Sequence, residues 1–136
     1  MGYLLKLSVC LVICLLLCDS SVFGAGVTTV YFVPFEVETY VPITRATITS
    51  LAWEKWTISS KSETSRLISL LNQGDKGNFD ENKVRCLVLS GDQTHFIDSN
   101  GVVVQEQARV SVRIDKAGFL KFRDSLRADQ RQILRK

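Results

Sequence analysis

The chain has 136 residues, a formal net charge of +3, 46% hydrophobic and 23% charged residues. That length, less a targeting segment, suits one domain and not two. The composition excludes disorder, a collagen or coiled-coil rod and a membrane helix bundle, and the placement of the four cysteines excludes a disulfide-stapled miniprotein.

Lys6 is the only charge ahead of an apolar run from Leu7 to Cys18. A helix over that run rises only about 18 Å, short of the roughly 30 Å hydrocarbon core of a bilayer. Asp19-Ser20-Ser21 closes the run and Val22-Phe23-Gly24 supplies a small-residue exit. This pattern predicts a cleavable secretory signal over residues 1–24 and an exported domain over 25–136. Lipoprotein anchoring at Cys18 is disfavoured, because Leu17 stands where that motif needs a small residue. Myristoylation fails because Lys6 occupies the position that requires Ser or Thr. Cleavage removes Cys10, Cys14 and Cys18 and leaves Cys86 alone, so the domain is expected to stand on its core without an intrachain disulfide. An exported domain without bridges points to the periplasm or another bacterial envelope compartment, or else to secretion.

Val27 to Val33 is β-branched and aromatic and predicts a strand stopped by Pro34. Phe35, Val37, Thr39 and Val41 then alternate with Glu36, Glu38 and Tyr40 up to Pro42, which predicts an edge strand with Glu36 and Glu38 on its charged face. A short helix capped by Thr44 is expected through Ala52, then a strand over Trp53 to Ile58 with Trp56 and Ile58 on one face and Trp53 on the other. Ser60 followed by Glu63 is a capping box, and Leu67, Ile68, Leu70 and Leu71 continue it at helical spacing until Gly74. A polar loop covers Gly74 to Glu81.

From Val84 to Glu106 the sequence reads as a three-stranded antiparallel meander. Asn100-Gly101, taken as a two-residue turn, pairs Ile97 with Val104 and His95 with Glu106. A turn at Gly91-Asp92 pairs Val88 with His95, Leu87 with Phe96 and Arg85 with Asp98. Val84, Cys86, Val88, Ile97, Val102 and Val104 then share the core face with His95. A further strand is expected over Arg109 to Ile114 and a last helix from Asp115, with Phe119, Phe122, Leu126 and Ile133 along one stripe. The predicted fold is a single small α+β domain, an antiparallel sheet with two or three helices packed on one face.

Charge is segregated. Residues 25–108 carry 7 basic and 10 acidic side chains, whereas residues 109–136 carry 9 and 3. On a continuous helix Arg123, Arg127, Arg131 and Arg135 stack along one flank, a row of like charges that an acidic partner, an anionic lipid surface or the chain's own Glu36 and Glu38 edge would relieve. Nucleic acid is not expected, since no stacking aromatics interleave the arginines. Catalytic patterns are sparse. His95 and Cys86 share the predicted core face, with Glu106 opposite His95, but a buried cysteine is usually an inert packing residue. One His and one Cys cannot build a common zinc site, the Asp75 to Glu81 loop lacks the ligand pattern of a calcium loop, and no phosphate-cradling loop is present. No metal and no cofactor are expected. The reading is a non-enzymatic binding protein of the inhibitor or immunity kind, with Arg123, Arg127, Arg131, Arg135, Glu36, Glu38 and an exposed Trp53 as candidate contacts. The alternative is a peripheral membrane protein resting on the basic helix.

Overall fold

A computed structural model describes residues 26–108 and 110–135. The expected signal segment and Arg109 lie outside the described residues. Among these residues, eight strands form one antiparallel sheet: β1 Thr28–Phe32, β2 Glu54–Ile58, β3 Asp75–Lys76, β4 Val84–Ser90, β5 Gln93–Asp98, β6 Val102–Gln105, β7 Ser111–Arg113 and β8 Arg131–Ile133, in the order β3-β7-β6-β5-β4-β1-β2-β8. Three helices accompany it, α1 Ile48–Leu51, α2 Lys61–Leu71 and α3 Lys116–Ser125. The molecule is an α+β domain. No helix among the described residues is long and apolar enough to cross a membrane.

Period-two burial gives the sheet two apolar faces. Val30, Phe32, Trp56, Ile58, Cys86, Val88, Ile97 and Val103 meet Leu67 and Leu71 of α2 and Phe119 and Phe122 of α3. Trp56 is central there, with ring centroids 5.2 Å from Phe32 and 5.6 Å from Phe119. On the other face Val33, Leu87 and Phe96 pack with Ile43 and with Ile48 of α1. Ser60 caps α2 by accepting the Glu63 N–H at 3.3 Å, and Asp115 caps α3 through Ala117 N–H at 3.1 Å, as their sequence positions predict.

Besides α1, which starts at Ile48 after Thr47 and not from a Thr44 cap, and the loop from Gly74, which contributes β3, four expectations change. First, residues 35–41 are not a strand. β1 already has β2 on one side and β4 on the other, so the chain after Pro34 finds no free edge beside β1. It turns instead, with Val37 N–H donating to the Pro34 carbonyl, and drops Phe35 into the helix-covered core. Second, the β5–β6 loop has three residues, Ser99 to Gly101. Asp98 accepts the Asn100 and Val102 N–H groups, both at 2.9 Å, and Gly101 takes φ +79°. That is the three-residue hairpin with a left-handed closing glycine, and it moves the register by one, so Ile97 faces Val103 and His95 faces Gln105. Third, a bulge at Arg85 places Val84, not Arg85, opposite Asp98 and turns Val84 to the second face, while Val88–His95 and Leu87–Phe96 pair as expected. Fourth, the last helix stops at Ser125. A short 3-10 turn, Ala128–Gln130, reverses the chain, and β8 fills the outer edge of β2. Ile133 is thus half exposed on an edge strand instead of buried along a helical stripe.

Candidate functional site

The break in the last helix dissolves the arginine row. Arg123 sits on the last turn of α3 and Arg131 opens β8, and both converge on Glu54 at the start of β2. Glu54 faces Phe32 across the β1–β2 ladder, which aims its side chain at the helix-covered face, where it is 7% exposed. Its carboxylate accepts Trp56 Nε1–H at 2.8 Å, Arg123 Nε–H at 3.0 Å and Arg131 Nη2–H at 3.0 Å, with Arg123 Nη2 completing a fork. Burial pushes the Glu54 pKa up, but hydrogen bonds from Arg123, Trp56 and Arg131 outweigh it and hold the group down at about 2. Arg123 also lies over the Phe32 ring, 5.4 Å from its centroid. These two arginines hold the fold together and are not free for a partner. Arg127 pairs in solvent with Asp129 at 3.1 Å, and Arg135 donates to the Ser50 carbonyl at 2.9 Å. The acid that relieves the basic C-terminal region is the chain's own Glu54, 69 and 77 residues before its arginines. No local spacing could announce a pair that distant.

Glu36 and Glu38 remain solvent-exposed, now on the turn and loop after β1. They line the mouth of an open cleft of about 580 Å³, between that loop and the segments around Lys83 and Asn100. Tyr40 is fully exposed on the same loop, and Val41 beside it is 66% exposed. The loop is nevertheless tethered: Phe35 is buried in the aromatic core, Thr39 Oγ1 donates to the Val41 carbonyl at 2.7 Å, and Ile43 bridges to Lys83.

Arg85 also lines this cleft and was not among the residues the sequence singled out. It is 5% exposed. Its Nη1 donates to the Val84 carbonyl at 3.0 Å and its Nη2 to the Val37 carbonyl at 2.9 Å, while Nε has no partner among the described residues. Burial lowers its pKa, opposed by the fields of Asp80 and Asp98. Asp98, its expected partner, is fully buried and occupied by the N–H groups of Asp80, Asn100 and Val102. The signal that could have found Arg85 is a lone arginine inside an apolar strand.

Trp53 is 37% exposed while Trp56 is fully buried, the division expected of two tryptophans on opposite faces. Trp53 borders β8, its carbonyl accepting the Leu134 N–H at 2.8 Å, next to exposed Ile133 and Leu134. Cys86 and His95 do share the helix-covered side, but they make no hydrogen bond. Neither His95 ring nitrogen has a partner among the described residues, and burial raises the Cys86 thiol pKa well above its ordinary value. A thiol held protonated, with no base on it, is no nucleophile. Among the described residues no cluster of His, Cys, Asp and Glu could hold a metal ion. Comparison with family models, curated proteins and solved structures found no match for this chain.

Proposed function

We propose that this is an exported, non-enzymatic protein that docks on another protein of the cell envelope or extracellular space, in the manner of an inhibitor or immunity protein, using the loop after β1. The observation that carries this reading is the fully exposed Tyr40, next to exposed Val41, on a loop tethered at both ends and flanked by Glu36 and Glu38. A tethered loop that holds an aromatic ring in water gives a partner a large contact area at little ordering cost, and tyrosine is enriched among the residues that dominate interfaces. Glu36 and Glu38 add a charged rim that steers approach and selects basic groups on the partner. The acidic-partner and lipid-surface readings lose support, since both stood on a continuous helix, which ends at Ser125, and on a row of four arginines, two of which Glu54 occupies.

A photoreactive phenylalanine analogue at position 40, with a second protein carrying it at exposed Lys121 on α3, tests the reading in envelope extract of the source cell. One cross-linked protein is expected from position 40, absent from position 121, suppressed by excess unlabelled wild type and not by Glu38→Lys. Equal labelling from both positions, or none from position 40, overturns the docking surface.

A further inference from the structure

Among the described residues no carboxylate bonds to the Arg85 guanidinium. Asp80 and Asp98 are the acids whose fields reach it, yet Asp98 spends its oxygens on backbone N–H groups and neither acid bonds to Arg85. A buried charge satisfied only by two carbonyls is unfavourable, and an anion arriving in the adjoining cleft relieves it. From this juxtaposition of a buried, under-satisfied guanidinium and an open polar cleft, we infer that the cleft over Arg85 is a carboxylate-binding site, filled by a carboxylate of the docked partner.

The geometry selects that chemistry. Two other arginines in the chain use the same fork, Nε with Nη2, each on a carboxylate: Arg45 on Glu81 and Arg123 on Glu54. Arg85 has the same fork with a lone carbonyl on Nη2 and nothing on Nε. A carboxylate fills both positions at once, which a single carbonyl cannot do. Because Nε lies below the surface, the incoming carboxylate displaces the Val37 carbonyl from Nη2, which perturbs the backbone of the loop carrying Tyr40 while the Phe35 and Ile43 tethers hold. Exposed Lys83 on the rim adds attraction, but Glu36 and Glu38 at the mouth and the fields of Asp80 and Asp98 set four acids against two bases, a balance that weighs about twice as heavily on a dianion as on a monoanion. The site therefore prefers a single carboxylate to a phosphate, and one carried next to neutral or basic groups. The inference rests on the docking reading only for the source of the carboxylate.

The test is titration of the purified protein with a capped diglycine bearing a free C-terminal carboxylate, with the matching C-terminal amide, and with inorganic phosphate. The readouts are the Arg85 Nε–H resonance and the Tyr40 amide resonance. The acid is expected to move both saturably, the amide neither, and phosphate to bind more weakly than the acid. Arg85→Gln should abolish the response. Since that variant also disturbs a buried bulge, Lys83→Glu on the exposed rim is the second probe, expected to weaken the acid about tenfold with the fold intact. Equal responses to acid and amide, tighter binding of phosphate, or no response of Arg85 to the acid overturns the site. A response at Arg85 with no cross-link at position 40 leaves the site standing and removes the docking reading; the reverse result does the opposite.

Discussion

Asp98 has no exposed surface, yet its job is done by the backbone around it. One oxygen takes the N–H groups of Asn100 and Val102, closing the β5–β6 hairpin, and the other takes the N–H of Asp80, fastening the loop before β4. Removing the carboxylate strands these donors in a protein interior, at about 1 kcal/mol or more for each. Asp98→Ala is thus expected to lower the free energy of unfolding by about 3 kcal/mol in urea titration at neutral pH. A loss below about 1 kcal/mol would show that water takes over the donors. The sequence showed a hairpin at Asn100-Gly101 but not its length, because Asn-Gly suits a two-residue turn and a closing glycine suits a three-residue one equally well. Nor does spacing reveal a bulge. One extra residue at Arg85 separated the pair expected between Arg85 and Asp98, and that separation is what leaves Arg85 facing the cleft without an acid.

Elements with local signals were legible: α2 by its capping box, α3 by its Asp cap, β1 by its β-branched run, and β4 and β5 by the turn signals beside their apolar runs. The end of α3 was not. Residues 116–135 contain no proline, and their one glycine, Gly118, lies near the start, so local propensity allows helix throughout. The deciding term is tertiary, the unpaired outer edge of β2, which β8 covers. Leu134 completes that cover by donating its N–H to the Trp53 carbonyl at 2.8 Å, while its own side chain is 41% exposed. Leu134→Pro deletes the donor at little cost in packing. Hydrogen exchange should then quicken in β8 and along the outer edge of β2 while the α3 amides keep their protection. Faster exchange through α3 as well would mean that β8 and α3 open as one unit.

At the scale of the molecule, the opposite charges of the two halves of the sequence meet inside the fold, at Glu54, which fastens β2 to α3 and to β8. Stability should accordingly fall in two stages on acidification. Burial lowers the His95 pKa below its ordinary 6.5, so as pH drops below that value the unfolded chain takes up a proton that folded His95 resists, and stability declines. Glu54 follows. Its pKa falls from 4.5 to about 2 on folding, so its contribution is complete above 4.5 and disappears as pH drops towards 2, a loss of roughly 3 kcal/mol. Urea midpoints measured from pH 8 to pH 2 should resolve both stages. His95→Leu should remove the first and, by deleting two buried ring nitrogens that have no partner among the described residues, leave the protein no less stable at neutral pH. Glu54→Gln should begin less stable, because Arg123 and Arg131 lose their acid, and lose little more below pH 4.5. A wild-type profile that stays flat between pH 4.5 and 2 would mean that Glu54 does not secure the C-terminal strand.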